Sequence, residues 1–181
     1  MRLKDKYKKE IVKKMQEKFS YANIFDVPKI EKVVLNVGMG RHSKEKLYIE
    51  NVEKSLTAIT GQKVMLTKAK KSIASFKVRE GQIVGCSVIL RRDRMYDFLE
   101  KLVNVTFPRV RDFRGILEKN IDRSGNLNIG FKEHVAFPEI KADQTDNVFG
   151  LEIAVVNSAT NYEEGLELCK QFGFPFKKED K

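Results

Sequence analysis

Between residues 63 and 79 the chain carries Lys63, Lys68, Lys70, Lys71, Lys77 and Arg79 and no acidic residue. Six cations without a counter-charge repel one another unless a polyanion neutralises them. The run is therefore read as a loop turned toward a partner and held in place by its flanks. From Leu56 to Arg91 the sequence reads LTAITGQKVMLTKAKKSIASFKVREGQIVGCSVILR, with strand-like pieces on both sides. A Gly-Gln turn opens the stretch and a Glu-Gly turn precedes its last strand. Ser, Thr and Ala between the cations let a backbone come close to a polyanion, while each ammonium or guanidinium meets a phosphate. The expectation is a nucleic-acid-binding loop, residues 63–81, carried on a sheet.

The distribution of charge supports this reading more than its total does. The 181 residues sum to a formal +10; residues 1–20 hold a surplus of five and residues 63–79 hold six, leaving about −1 elsewhere. Two concentrated patches point to a phosphate-rich partner. A basic helix lying on a membrane competes for residues 1–20, but that segment lacks the Trp, Phe and Leu richness such helices use, and no membrane partner is expected. An apolar content of 41% supplies one sizeable core, and without repeats or linkers a single domain, residues 1–181, is expected. Cys86 and Cys169 lie far apart in apolar patterns and read as buried thiols of a reducing compartment. The longest apolar run, Ile83 to Leu90, is interrupted by Gly85 and Ser87 and is too short to span a bilayer. No apolar core with a cleavage site follows the basic N-terminus, so a cytoplasmic location is expected.

Along the chain, Leu3, Tyr7, Ile11, Met15 and Phe19 recur every fourth residue and predict a basic amphipathic helix over 3–19. Residues 31–37 alternate as a strand, with Val33, Leu35 and Val37 on one face and Asn36 on the other. Ser43 is placed to cap a helix running to about Ala58, with Leu47, Ile49, Val52, Leu56 and Ile59 inward and Gly61 as its C-terminal stop. Strands follow at 63–67 and 82–91. Asp93 is expected to cap a helix with Met95, Phe98, Leu99 and Leu102 inward, ending at Pro108. Further strands are expected at 126–131 and 149–157. Asn161 with Glu164 forms an N-cap pair for a last helix that turns Leu166, Cys169 and Phe172 inward. This order predicts an α+β fold: a mainly antiparallel sheet with helices packed on one face, the other face and the basic loop being left to bind RNA.

Catalytic and metal chemistry find little support. Gly38-Met39-Gly40 follows a strand, yet Ser43 stands where a dinucleotide-binding fingerprint needs its third glycine. Lys71-Ser72 lacks the glycines of a phosphate-binding P-loop. His42 and His134 have no cysteine or carboxylate at ligand spacing, and neither cysteine has a nearby histidine to activate it. No metal, cofactor or enzymatic activity is expected. What remains is binding chemistry. Asn36 and Gln62 carry amides suited either to base edges and sugar hydroxyls or to strand-end hydrogen bonds. Phe76 either packs beneath its own loop or meets a base or ribose.

Leu56 to Ser72, LTAITGQKVMLTKAKKS, resembles the signature of the bacterial large-subunit ribosomal protein five family. VPKIEKVVLNVGMG (27–40), KKSIASFKVREG (70–81), VGCSVILRRDRMYDFL (84–99), FPRVRDFRG (107–115), HVAFPEI (134–140) and FGFPF (172–176) resemble it in the same order, so the likeness covers essentially the whole chain. The resemblance implies a non-catalytic monomer within the ribosome that binds 5S rRNA and large-subunit rRNA. Its 5S rRNA contacts would fall at Asn36, Gln62, Lys63, Thr67, Lys68, Lys70 and Arg91. Its basic loop, here Lys71, Ser72, Ser75, Phe76, Lys77 and Arg79, would approach the elbow of transfer RNA in the peptidyl site. A bridge to small-subunit ribosomal protein thirteen would involve Arg109, Arg111 and Arg114, with the loop around 139–148. The sequence departs from the usual pattern at Val64, where proline is common, and at Ser75, where glycine is common. Ser87 and Ile89 stand where many relatives carry Lys and Thr. The rivals are an RNA-binding regulator or chaperone outside the ribosome and a phosphate-substrate enzyme built on the Gly38–Gly40 turn.

Overall fold

Alternation of buried and open residues along each strand organises the architecture. The computed structural model describes residues 2–140 and 148–177. Its strands are β1 (Ile30–Gly38), β2 (Met65–Lys68), β3 (Ile83–Leu90), β4 (Leu127–Phe131) and β5 (Leu151–Asn157). They form one five-stranded antiparallel sheet in the order β2-β3-β1-β5-β4. Val33, Leu35 and Val37 of β1, Cys86, Val88 and Leu90 of β3, and Leu151, Ile153 and Val155 of β5 are buried. Asn36, Ile89 and Glu152, which alternate with them, are exposed. A sheet patterned this way covers one face with its core and leaves the other to solvent or a partner. The α+β expectation therefore holds.

The chain packs as two compact units: Met1–Val33, Leu90–Ile129 and Ala154–Lys181 in the first, Val34–Ile89 and Gly130–Ile153 in the second. In the first unit the N-terminal helix is continuous through α1 (Leu3–Lys6), a π-helical turn (Tyr7–Ile11) and α2 (Val12–Phe19). A strict four-residue spacing outruns a 3.6-residue turn, so the apolar line would wind around a regular α-helix; the wider π turn brings it back. Leu3, Ile11 and Met15 are accordingly buried together, and Tyr7 stacks on Phe172 with centroids 5.7 Å apart.

Two helix starts in this unit differ from the sequence reading. Asp93 does not cap α4 (Arg92–Lys101) but sits inside its first turn, where Lys4 pairs with it. Its carboxyl is held below the usual range, first by the hydrogen bond from Lys4. At α6 (Tyr162–Phe172) Asn161 occupies the N-cap without a side-chain bond, and Glu164 reaches past it to accept from the N–H and hydroxyl of Thr160, at 3.1 and 3.2 Å.

Pro108 does not stop its helix at once. The chain runs from α4 through a π-helical segment (Leu102–Thr106) into α5 (Phe107–Arg109), the irregular turn giving the proline ring room where a regular helix would clash. Deeper in this unit Gly125 and Gly165 meet backbone to backbone; a Cβ on Gly165 would lie 2.3 Å from the Gly125 Cα. Asn157, buried beside this contact, donates to the Gly125 carbonyl at 2.6 Å and accepts from the Ala159 N–H at 2.9 Å.

In the second unit α3 (Lys46–Thr60) buries Tyr48, Ile49, Val52, Leu56 and Ile59 and stops at Gly61, whose φ of 65° gives the left-handed cap. Leu47, expected inward, is exposed, and Tyr48 takes the inward place. Ser43 does not cap α3. A 3₁₀ turn (Gly40–His42) intervenes, Glu45 holds the N-cap position, and the Ser43 hydroxyl accepts from Gln82 Nε2 at 2.7 Å.

Candidate nucleic-acid interface

The open side of β2 and β3 follows from their pairing. Met65 faces Ser87 and Thr67 faces Gly85, so these residues share one side, while Leu66 and Cys86 share the buried one. A Cβ at Gly85 would lie 2.9 Å from both the Thr67 hydroxyl and the Val37 carbonyl oxygen. The absent side chain is what brings Thr67 close to the edge of β1. Asn36 stands exposed on β1 between buried Leu35 and Val37. The open surface of this unit thus presents Asn36 and Thr67 among Met65, Ser87 and Ile89. Ile89 is marked in the sequence only as a departure from the family pattern, and Met65 not at all, because membership of this face depends on register.

Gln62 is set by the helix stop at Gly61. Its Nε2 donates to the Ile89 carbonyl at 3.1 Å, so its amide serves a strand-end bond and leaves Oε1 for another donor. Lys63, just before β2, and Lys68, its last residue, are exposed.

The basic loop is an ordered hairpin. Ala69 donates to Gln82 at 2.8 Å and Gly81 to Ala69 at 3.0 Å, while Ile73 and Val78 exchange bonds of 2.9 and 3.2 Å. The Ser72 hydroxyl accepts from the Glu80 N–H at 2.9 Å. A 3₁₀ turn (Ala74–Phe76) forms the tip, and Lys77 closes it at φ 53°. Gln82 ties the base: its Oε1 accepts from the Arg79 N–H at 3.0 Å while its Nε2 holds Ser43. Phe76 does not pack under the loop; it is 75% exposed at the tip beside Ser75. Lys63, Lys68, Lys70, Lys71, Lys77 and Arg79 are all exposed, and among the described residues none forms an ion pair.

The remaining candidates fall in the first unit. Arg91, exposed, precedes α4. Arg109, the last residue of α5, and Arg111 and Arg114 on the segment after it are exposed. That segment is anchored by Phe113, which stacks on buried Phe107 at 5.0 Å, and by Ile116, which exchanges 2.8 Å bonds with Pro175 and Lys177. Residues 141–147 of the loop named with them lie outside the described residues.

Neither thiol is built for chemistry: burial pushes Cys86 up to about 11, with Glu53 adding to it, and Cys169 up to about 12. Among the described residues no group of three His, Cys, Asp or Glu side chains could hold a metal ion, and no helix is long and apolar enough to cross a membrane.

Two family models match in tandem: Ribosomal protein L5 over residues 23–79, and the C-terminus of the same ribosomal protein family over residues 83–176. The chain belongs to the ribosomal protein L5 family. Among curated relatives it is 53% identical to the large ribosomal subunit protein uL5 of Halothermothrix orenii, over 96% of this chain and 97% of the relative. The uL5 protein of Desulforapulum autotrophicum is also 53% identical, over 97% and 98%. The uL5c protein of Gracilaria tenuistipitata is 51% identical, over 96% and 97%. Membership makes the chain a structural, non-enzymatic constituent of the large ribosomal subunit, working in translation in the cytoplasm, within the ribosome.

Proposed function

We propose that this ribosomal protein L5 family member binds 5S rRNA through the open face of its sheet and helps attach it to the large subunit. One observation carries the reading: six exposed cations, none ion-paired among the described residues, stand on and beside a hydrogen-bonded hairpin that continues from that face. Asn36, Thr67 and Oε1 of Gln62 supply hydrogen-bonding groups suited to sugar hydroxyls and base edges. Lys63, Lys68, Lys70 and Arg91 supply phosphate contacts. The hairpin tip, with Lys71, Ser72, Ser75, Phe76, Lys77 and Arg79, reaches the peptidyl-site transfer RNA. Arg109, Arg111 and Arg114 face small-subunit ribosomal protein thirteen across the subunit boundary. The chain is taken as a single ribosomal-protein domain, residues 1–181, acting as a monomer within the ribosome.

The test is a chemical footprint of purified 5S rRNA with and without the protein. Protection is expected, and it weakens when Asn36→Ala and Thr67→Ala are combined. A 5S rRNA left unprotected at low ionic strength would overturn the reading. Replacing the three arginines by alanine is expected to weaken subunit association while sparing the footprint; unchanged association would remove them from the bridge.

A further inference from the structure

Beneath the hairpin, wholly within the second unit, lies a cleft of about 1120 Å³. Its walls include Arg41, Tyr48, Lys70, Lys71, Phe76 and Phe149. Three of the chain's exposed large apolar side chains open into it, Ile73 at 46%, Phe76 at 75% and Val148 at 54% exposure. Tyr48 and Phe149 are buried on its inner side, the first stacked on His42 with centroids 4.4 Å apart and the second on His134 at 3.8 Å. Among the described residues no lining residue is acidic, and Arg41, Lys70 and Lys71 have no ion-pair partner there. Gly38 and Gly40 also line the cleft, and a Cβ on either would meet nothing within 4 Å.

Pockets that bury small ligands run to roughly 300–1000 Å³, so this space admits a nucleotide with room for its neighbours' backbone. Aromatic and aliphatic walls alone would suit any apolar group. Three cations at the same cavity, none ion-paired among the described residues, select an occupant that is both aromatic and anionic. A duplex does not fit that description, because its bases are stacked away and only its phosphates are offered. A nucleotide free of its stack does, with base against aromatic side chains and phosphate against lysine or arginine. Resting on the RNA-binding reading above, we infer that this cleft receives one unstacked nucleotide of a single-stranded or looped RNA segment, its base among Phe76, Tyr48 and Phe149 and its phosphate at Lys70, Lys71 and Arg41.

The chain has no tryptophan, so Phe76→Trp places one indole at the mouth of the cleft. This protein is titrated with a short hairpin RNA carrying an unpaired loop and with a blunt duplex of the same stem. The hairpin is expected to quench the indole saturably and to bind on the order of tenfold more tightly than the duplex, the effect of one stacked base. Gly40→Leu in the same background, with Gly38→Leu as a second blocker, adds bulk at positions where a Cβ meets nothing within 4 Å. Each is expected to remove the quench and weaken the hairpin about tenfold while leaving duplex affinity and the melting temperature unchanged. If hairpin and duplex bind alike and both blockers are silent, the cleft is not a nucleotide site although the RNA reading stands. An acidic, phenylalanine-containing peptide that quenches more tightly than the hairpin would also overturn the inference, in favour of a protein partner. If neither RNA binds, both proposals fall together.

Discussion

The RNA-binding reading is most exposed to error at Lys70 and Lys71. Both are exposed and free of ion pairs among the described residues, and the hairpin is held by backbone bonds and by Ser72 and Gln82, not by their side chains. Replacing both with alanine is therefore expected to change stability by no more than about 0.5 kcal/mol. Binding is another matter. Each duplex phosphate contact contributes about −0.9 to the slope of log affinity against log salt, so six contacts give about −5.4 and four about −3.6. Between about 50 and 200 mM salt the parent protein then loses affinity about 2000-fold and the variant about 150-fold. The assay is a filter-binding or fluorescence titration of 5S rRNA and of transfer RNA at several salt concentrations, with a thermal melt to establish folding. A slope unchanged for both RNAs would show that neither lysine meets phosphate, and the hairpin would lose its assigned role.

Three further outcomes follow from the packing. Gly165→Ala drives a Cβ into the Gly125 backbone; a loss of about 3 kcal/mol or more is expected, read as a melting temperature lower by roughly 10 °C. His134 is buried, its Nδ1 accepts the Phe149 N–H at 3.3 Å, and burial holds its pKa below the ordinary value. Its neutral form is thus favoured in the folded chain, while the unfolded chain takes up a proton below about pH 6.5. Stability from this residue is present above that pH and is lost as pH falls toward the folded pKa. Urea midpoints should therefore drop between about pH 7.5 and pH 5.5, and His134→Gln should flatten the drop; equal pH dependence in the two proteins would contradict the assignment. Buried Cys86 and Cys169 should resist a thiol reagent at about pH 8 in the native protein and react once urea unfolds it.

What could be read in advance was whatever depends on neighbouring residues. The four-residue stripe of the N-terminal helix, the alternation around Asn36 and the stop at Gly61 are local signals, and each appears in the structure where expected. Ser43 and Leu47 show the limit. A serine before an apolar run looks like a cap, but its hydroxyl is engaged by Gln82, a residue 39 positions away. Leu47 is the more hydrophobic neighbour, yet Tyr48 is buried because it stands one turn before Val52, on the face shared by Ile49, Leu56 and Ile59. The site divides in the same way. Its charges were visible because charge is composition, and its order was not, since the Ile73–Val78 bridge and the Thr67–Gly85 pairing are tertiary facts.

That order bears on how well a lysine-rich segment can work. A cation on a disordered loop loses backbone freedom when it binds, at a cost of roughly 1–2 kcal/mol per residue ordered. A loop of a dozen such residues would forfeit more than its exposed ion contacts return. Here the hairpin from Ala69 to Gln82 is held by its own contacts: its backbone is paired at both ends, its tip is a closed 3₁₀ turn, and its base is fixed to Ser43. Only the long side chains remain to be immobilised, so most of each phosphate contact appears as affinity. Breaking the frame while keeping every charge separates the two contributions. Ser72→Ala with Gln82→Ala removes the side-chain ties and leaves all six cations. If order matters as argued, affinity falls while the salt slope stays near its parent value; if charge alone suffices, neither quantity moves.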